Sequence, residues 1–323
     1  MHRGSHRGSL QYWPHRRASR ILPRLRSKHD SKTFELTNLI GFKVGMTHVS
    51  VIEDPSAQQA KEKSSPCTVI ELPKQIVYGL RLYKIDGKTG YLKSSLAIYS
   101  RQAAEKLGMK SIKNDESAID KIKQNLSEYA DARLLVAADP KPLSVGIHHV
   151  IKYEIPLNGE SVSSKFEAAV LLLGKEIKFS DVFKPGEYVD VLSISKGKGW
   201  QGPIKRFGVT RQYRKSTEKI RHVGNLGPMR PGKVFFTVPQ AGQLGFNYRT
   251  ERNKKIFAVN PSVNINPKSG FTNYGLVKGD FILLKGSVPG AIKRLVRIRK
   301  SIQNKNAHGI KEPKIIDISV QSR

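Results

Sequence analysis

Residues 197–202 read Gly-Lys-Gly-Trp-Gln-Gly and follow a strand-like run, Glu187–Ser195. A Gly-x-Gly-x-x-Gly spacing after a strand can cradle a dinucleotide pyrophosphate, because glycine admits close backbone approach and a following helix aims its first N–H groups at phosphate. That chemistry also needs a helix opening at the last glycine, and an acid about 20 residues on for a ribose hydroxyl. Here Gly202 is followed by Pro203, a basic run and Gly208, so no helix is expected. Glu218 stands near the required distance but inside the basic run, and Lys196, Lys198 and Trp200 put bulk where small residues belong. The spacing reads as chance, and no cofactor is expected. The glycines instead let the backbone pass close to phosphates that Lys196 and Lys198 neutralise.

Other chemistry-bearing residues are sparse. His148 and His149 are the only adjacent histidines, and with no further ligands to place they read as a surface or core pair. His29 and Asp30 lack a nucleophile, and Asp115-Glu116 suits the first turn of a helix better than an acid/base pair. The single cysteine, Cys67, excludes a disulfide within the chain and a zinc ribbon, and is expected as a small buried strand residue. No Gly-x-Ser-x-Gly or P-loop pattern occurs. No catalytic set, metal site or small-molecule substrate is expected.

Charge is the dominant signal. The 323 residues carry 57 Lys+Arg against 26 Asp+Glu, a formal net charge of +31. The distribution is uneven: residues 1–29 hold 8 basic and no acidic residues, 30–190 hold 22 and 21, and 191–323 hold 27 and 5. Such self-repulsion points to a polyanion partner, nucleic acid first and an anionic membrane second. No apolar run approaches the roughly 20 residues of a membrane span. The N-terminus shows no apolar core of a signal peptide, so a cytoplasmic protein is expected. The membrane reading is weak, since the basic tail alternates like a strand and lacks an amphipathic helix with bulky anchors.

The elements that would carry this charge are mainly β. The arm 1–29, with His-Arg-Gly-Ser twice in tandem and Gly4, Gly8, Pro14 and Pro23 as breakers, is expected to be extended. Residues 39–54 read as a strand pair with Gly41 and Gly45 at a turn or bulge, 55–66 as a loop, and 67–72 and 75–85 as two more strands divided by Pro73. Helices are predicted over 115–130 and 163–174, with a short strand at 132–140 between them. Further strands are predicted at 187–195, 233–238, 255–260 and 280–288, and 291–305 as a strand with one wet, basic face. The fold class is thus mainly β: a small closed β-barrel with an inserted α/β subdomain and long basic extensions. The expected division is an arm (1–38), barrel segments at 39–94, 181–196 and 233–300, an insert (95–180), a central loop (197–232) and a C-terminal tail (301–323).

The stretch 195–233 holds eleven Lys/Arg and one acid, with Trp200, Phe207 and Tyr213 interleaved. A long stretch without periodicity in a compact domain is functional or disordered, and this composition is that of an RNA-penetrating loop. Lys196, Lys198, Trp200, Lys205, Arg206, Arg211, Arg214, Lys215, Arg221, Met229 and Arg230 are the expected loop contacts. Arg249, Arg252, Lys254 and Lys255 are expected at the loop base, and Arg7, Trp13, Arg16, Arg17 and Arg20 in the arm. Trp13 and Tyr12 could stack on bases. An RNA-modifying enzyme is the alternative, but near the loop only Glu218 and Glu251 could serve as catalytic carboxylates.

The blocks 187–209, 221–256 and 274–299, together with Gly-Phe-Lys-Val-Gly-Met-Thr-His-Val (41–49) and the arm 6–20, resemble the universal large-subunit ribosomal protein L-three family in its archaeal/eukaryotic form. The resemblance covers most of the chain in order, and 166–183 also fits. It implies a translation-protein-type barrel with an α/β insertion, and two extensions that run into large-subunit rRNA. It further implies a role in subunit assembly, a central loop reaching toward the peptidyl-transferase centre, and L-fourteen and L-twenty-four-e type proteins as neighbours. One position departs: where the family's loop tip carries Trp, this chain has Met229.

Overall fold

The computed structural model describes residues 8–9, 12–25, 34–55, 61–108, 117–216, 219–260, 263–303 and 310–320. The strands, in chain order, are β1 (Asn38–Ile52), β2 (Lys63–Glu71), β3 (Lys74–Ile85), β4 (Leu92–Tyr99), β5 (Asp131–Asp139), β6 (Ile151–Pro156), β7 (Glu176–Ile177), β8 (Tyr188–Ile194), β9 (Gly197–Gln201), β10 (Gly242–Gly245), β11 (Tyr248–Val259), β12 (Phe281–Lys285), β13 (Leu295–Lys300) and β14 (Lys314–Ile318). The helices are α1 (Arg101–Lys106), α2 (Ser117–Gln124), α3 (Val162–Leu172), α4 (Phe179–Val182) and α5 (Pro203–Phe207). The chain divides into two compact units, one of 22–193 and 250–323, the other of 1–21 and 194–249. Among the described residues, no helix is long and apolar enough to cross a membrane.

The larger unit meets the mainly-β expectation. Its first sheet runs β13-β8-β11-β12-β2-β1-β14, and β1 also pairs with β13, so the pairings of six strands return to their start. Leu39, Ile40, Phe42, Ile70, Ile282, Leu283, Val296 and Ile298 are fully buried within it. A second sheet, β4-β3-β5-β6 with β7 on β3, packs α3 through Phe166 and Ala169. Ser161 caps α3 by accepting from the Ser164 N–H at 3.1 Å.

Several elements differ from the sequence expectation. The stretch expected as a strand pair over 39–54 forms one long strand, Asn38–Ile52. Gly41 serves close approach: a Cβ there would lie 2.6 Å from Ile70 Cγ2 and 3.0 Å from the Glu71 carbonyl. The bulge falls between Lys43 and Gly45. Strand β2 begins at Lys63, within the expected loop, and β3 pairs as a strand in the second sheet, meeting β1 through the Gln75 side chain, whose amide donates to the Ile40 carbonyl at 2.9 Å. Strands β4, β6 and β14 were not predicted. Within the first predicted helix, α2 gives way to a 3-10 turn at Leu126–Glu128, and Asp115 and Glu116 lie outside the described residues. His29 and Asp30 also lie outside them. His148 and His149 are exposed.

The expected wet, basic face of β13 is instead buried. Arg297 donates to Asn38 Oδ1 (2.7 Å), the Pro23 carbonyl (3.3 Å) and the Glu154 carbonyl (2.5 Å). Burial pushes its guanidinium down to about 10. Arg299 pairs with Asp190 at 3.0 Å with both side chains buried, and the other Asp190 oxygen accepts the Asn253 N–H at 3.1 Å. Filling the donor fork with acceptors removes most of the cost of taking these charges out of water. Buried Glu71 works in the opposite sense. Its carboxylate accepts the Lys278 and Gly279 N–H groups at 2.6 and 2.8 Å and the Tyr274 hydroxyl, pinning the 274–279 loop to β2.

Cys67 is buried in β2, and burial pushes its thiol up to about 12. It should resist alkylation at pH 8 in the native protein and react once the chain is unfolded in urea. Asp190→Ala removes the buried carboxylate that pairs with Arg299 and should cost about 3–5 kcal/mol, read as a drop in the urea midpoint. A midpoint unchanged from the parent would contradict this account of β13.

Candidate nucleic-acid interface

The smaller unit is built on the β9–β10 hairpin, in register Gly242↔Gln201 and Gln243↔Trp200. Gly245 fixes the close approach at its base. It has φ +76°, and a Cβ there would lie 2.0 Å from the Lys196 carbonyl. Ser195 and Asn247 continue the pairing, the Ser195 N–H donating to the Asn247 carbonyl at 3.0 Å. Gly199 is left-handed (φ +63°), whereas Gly202 is extended.

A helix does follow Gly202, contrary to expectation. Pro203 occupies the first turn of α5, where a missing N–H costs nothing, and Gly208 closes it in the left-handed conformation. It spans only Pro203–Phe207, with Lys205 and Arg206 in its last turn. The helix serves to position Arg206 and Phe207.

Arg206 is half-buried. Its Nε donates to the Gln243 carbonyl at 3.1 Å and its Nη1 to the Gln240 carbonyl at 2.9 Å. Its Nη2 lies 3.3 Å from His15 Nδ1. His15 stacks on Trp13 with ring centroids 4.3 Å apart, while Phe207 lies 6.4 Å from Trp13 and Phe236 meets Trp13 edge-on at 5.3 Å. A Cβ on Gly8 would lie 2.9 Å from the Phe207 ring, so the arm passes flat against it. Further along, the Asn247 side-chain amide donates to the Arg16 carbonyl (2.7 Å) and the Ala18 N–H to the Phe246 carbonyl (2.8 Å). The Tyr248 hydroxyl donates to the Arg20 carbonyl at 2.9 Å. The Arg249 guanidinium sits 4.2 Å over the Tyr12 ring. Residues 12–20 are thus held by the stretches 206–207 and 236–249.

The outer surface of this unit is cationic without compensation. Its described residues hold fifteen Lys/Arg (three in 8–21, twelve in 194–249) and no Asp or Glu. Its one carboxylate, Glu218, lies outside the described residues. Arg16, Arg17, Arg20, Lys196, Lys198, Lys205, Arg211, Arg214, Lys215, Arg221 and Arg230 are all exposed, and none forms an ion pair among the described residues. Met229 is 94% exposed, Tyr213 89% and Trp200 76%, so these three can meet a partner directly.

Other predicted residues sit elsewhere. Trp13 and Arg206 are engaged inside the cluster, and burial lowers Arg206 below its ordinary value. In the larger unit Arg252 is exposed, Lys254 pairs with Glu251 at 2.7 Å, and Lys255 is buried with its ammonium 3.3 Å from the Glu53 carbonyl. Lys255 thus departs from the expected surface role. Arg7 lies outside the described residues. The predicted strand 233–238 is not a strand: Pro231 and Gly232 precede it and Pro239 follows it, it turns at Phe235–Val238, and Val234, Phe235 and Phe236 are exposed. Sequence reasoning missed His15, Phe236, Asn247 and Tyr248 as the residues that seat the arm, since the acceptor of Arg206 lies 191 positions away. Among the described residues, no group of three or more His, Cys, Asp or Glu is placed to hold a metal ion.

A cationic surface with no acid among its described residues and with exposed aromatic and thioether side chains defines a polyanion-binding protein. The family model of ribosomal protein L3 matches residues 2–321. The chain is 38% identical to the large ribosomal subunit protein uL3 of Methanothermobacter thermautotrophicus, over 100% of this chain and 98% of that protein. It is likewise 38% identical to that of Methanothrix thermoacetophila, over 98% and 97% of the two chains. With that of Pyrobaculum arsenaticum it shares 37% identity over the same shares. The chain belongs to the ribosomal protein L3 family. It is a structural component of the large ribosomal subunit and not an enzyme.

The seating of the arm is testable. Trp13→Ala removes three ring contacts, each worth about 0.5–1.5 kcal/mol beyond burial, and should speed tryptic cleavage at Arg16 and Arg17 roughly tenfold while leaving the urea midpoint of the larger unit in place. Burial first, then Arg206 and Arg249, holds the His15 imidazole below its ordinary value. Neutral His15 therefore favours the seated arm above the unfolded value of about 6.5, and the advantage is lost as pH falls through the lowered folded value. Cleavage at Arg16 and Arg17 should accelerate between about pH 7 and pH 5, normalised to an unstructured peptide, and this pH dependence should vanish in His15→Gln.

Proposed function

We propose that the smaller unit is the principal rRNA-binding surface, gripping large-subunit RNA mostly through phosphates and RNA shape. The observation that carries this reading is the set of fifteen Lys/Arg among its described residues with no carboxylate beside them. Cations without partners exchange their counterions for phosphates, whereas paired ones must first break an ion pair. Trp200 and Tyr213 add stacking faces that do not depend on base identity.

By family resemblance, the central loop 197–232 reaches toward the peptidyl-transferase centre, the chain supports early subunit assembly, and its protein neighbours are of the L-fourteen and L-twenty-four-e type. Met229 occupies the tip. A thioether there packs on apolar faces and fills gaps but has no hydrogen to donate, so any tip contact made by this chain is apolar. In this reading the arm 1–38 and the loop 197–232 are the RNA-facing segments, and the strand-rich remainder anchors them.

Binding of the full chain to large-subunit rRNA should weaken steeply with salt. The triple variant Arg211→Ala, Arg214→Ala, Lys215→Ala should reduce the log–log salt slope by about three units, with little change in the urea midpoint. A flat salt response of the parent chain would sink the reading. Deletion of 203–230 should leave the larger unit folded but yield subunits defective in translation.

A further inference from the structure

The near-neutral stretch 30–190 is not uniformly neutral in space. Strands β3 and β4 form a hairpin whose end rises clear of the sheet, with residues 91–96 all exposed along β4. Its turn is closed by the Asp86 N–H donating to the Tyr91 carbonyl at 3.0 Å and the Gly90 N–H donating to the Asp86 carbonyl at 2.8 Å. Gly90 takes the left-handed conformation the turn requires, and a Cβ built on Gly87 or Gly90 would meet nothing within 4 Å. The turn is therefore closed by its own hydrogen bonds, with open space beside both of its glycines.

Its chemistry is that of an anion-facing end. Residues 84–93 contain three lysines and one acid, Asp86. That acid is spent inside the turn, accepting the Lys88 N–H at 3.2 Å and the Thr89 hydroxyl at 3.0 Å. Lys84 is engaged by Glu128 and lies 4.9 Å over the Tyr129 ring. Lys88 and Lys93 are exposed and form no ion pair among the described residues. Lys84 and Lys93 stand directly opposite each other across the hairpin, a like-charge pairing that destabilises a sheet in isolation. Between the free ammonium groups Tyr91 is 78% exposed, and Ile85 (62%) and Leu92 beside it are exposed as well. A phenol with open faces flanked by unpaired lysines can stack on a base while the ammonium groups take the adjoining phosphates. An acidic protein partner could meet the lysines but has no use for the open face of Tyr91, whereas a nucleic acid supplies a base for that face beside its phosphates.

We propose that the β3–β4 hairpin tip is a second, separate rRNA contact, with Tyr91 as its stacking residue and Lys88 and Lys93 as its phosphate ligands. This rests on the rRNA-binding reading of the smaller unit, and the test separates the two. Large subunits are purified from cells in which this chain carries p-azidophenylalanine in place of Tyr91, or in a parallel strain in place of Trp200, and are irradiated. Crosslinks to rRNA from both positions are the expected result. A crosslink to rRNA from position 200 with only a protein crosslink, or none, from position 91 overturns the hairpin contact and leaves the main reading standing. Absence of rRNA crosslinks from position 200 counts against the main reading instead. Independently, Lys88→Ala/Lys93→Ala in the full chain should lower the salt slope of binding to whole large-subunit rRNA by about two units. An unchanged slope with an unchanged urea midpoint would also overturn the proposal.

Discussion

Arg206 places its guanidinium on two backbone carbonyls and the ring nitrogen of His15, and on no carboxylate. That choice of acceptors governs the smaller unit. A surface meant for a polyanion cannot be held together by acids, because each acid would cancel a cation the partner needs and would repel phosphate. The unit is cross-linked instead by groups that carry no formal charge: peptide carbonyls, the side chains of Asn247 and Tyr248, and the rings of Trp13, His15, Phe207 and Phe236. Neutral acceptors satisfy the arginine's donors while leaving the net charge of the surface intact. His15 must stay neutral for this to work, which is why its lowered basicity belongs to the architecture.

The larger unit handles charge in the opposite way. Arg299 pairs with Asp190, Lys300 with Glu35, and Lys285 with Glu53. The first is buried and fixes β13 against β8; the others are half-exposed and contribute little to stability individually. Pairing neutralises these cations, so the same residue types that bind a polyanion elsewhere serve packing here. Lysine or arginine content alone therefore does not mark an interface. The distribution of carboxylates around it does, and by that measure Lys255, buried beside Glu53, belongs to the fold and Lys196 or Arg211 to the surface.

Much of this could be read from the sequence where local pattern decides structure. The β-branched runs at 67–72, 75–85, 187–195 and 280–288 and the helix closed by Gly174 are found where their residue types place them. The charge asymmetry was equally visible. What failed were features that depend on distant partners. Arg297 and Arg299 alternate with apolar residues as on a half-wet strand, and only Asn38, Glu154 and Asp190, remote in sequence, make both faces dry. The run 233–238 has strand composition but no neighbouring strand to pair with, so its phenylalanines stand exposed. Pro203 reads locally as a helix stop, whereas at a first turn it starts one. The aromatic seat of the arm joins residues nearly two hundred positions apart, and no local periodicity encodes it.

The division between preformed and partner-ordered parts follows from the same contacts. Residues 12–20 and 197–207 are held by the aromatic cluster, Arg206 and the β9–β10 register. Among the described residues of 209–241 the backbone bonds are few and mostly of turn scale, such as Ser216 N–H to the Tyr213 carbonyl at 3.0 Å and Val238 N–H to the Phe235 carbonyl at 3.1 Å. Fixing one residue's backbone costs about 1–2 kcal/mol, so ordering the whole protein-facing root on the RNA would consume most of the binding energy that a dozen phosphate contacts supply. Seating the root beforehand confines that cost to the distal segment. On the rRNA-binding reading proposed above, exposed Met229 suits such a segment, because an unbranched thioether adapts to whatever apolar surface meets it, while an indole would have to satisfy its N–H as well.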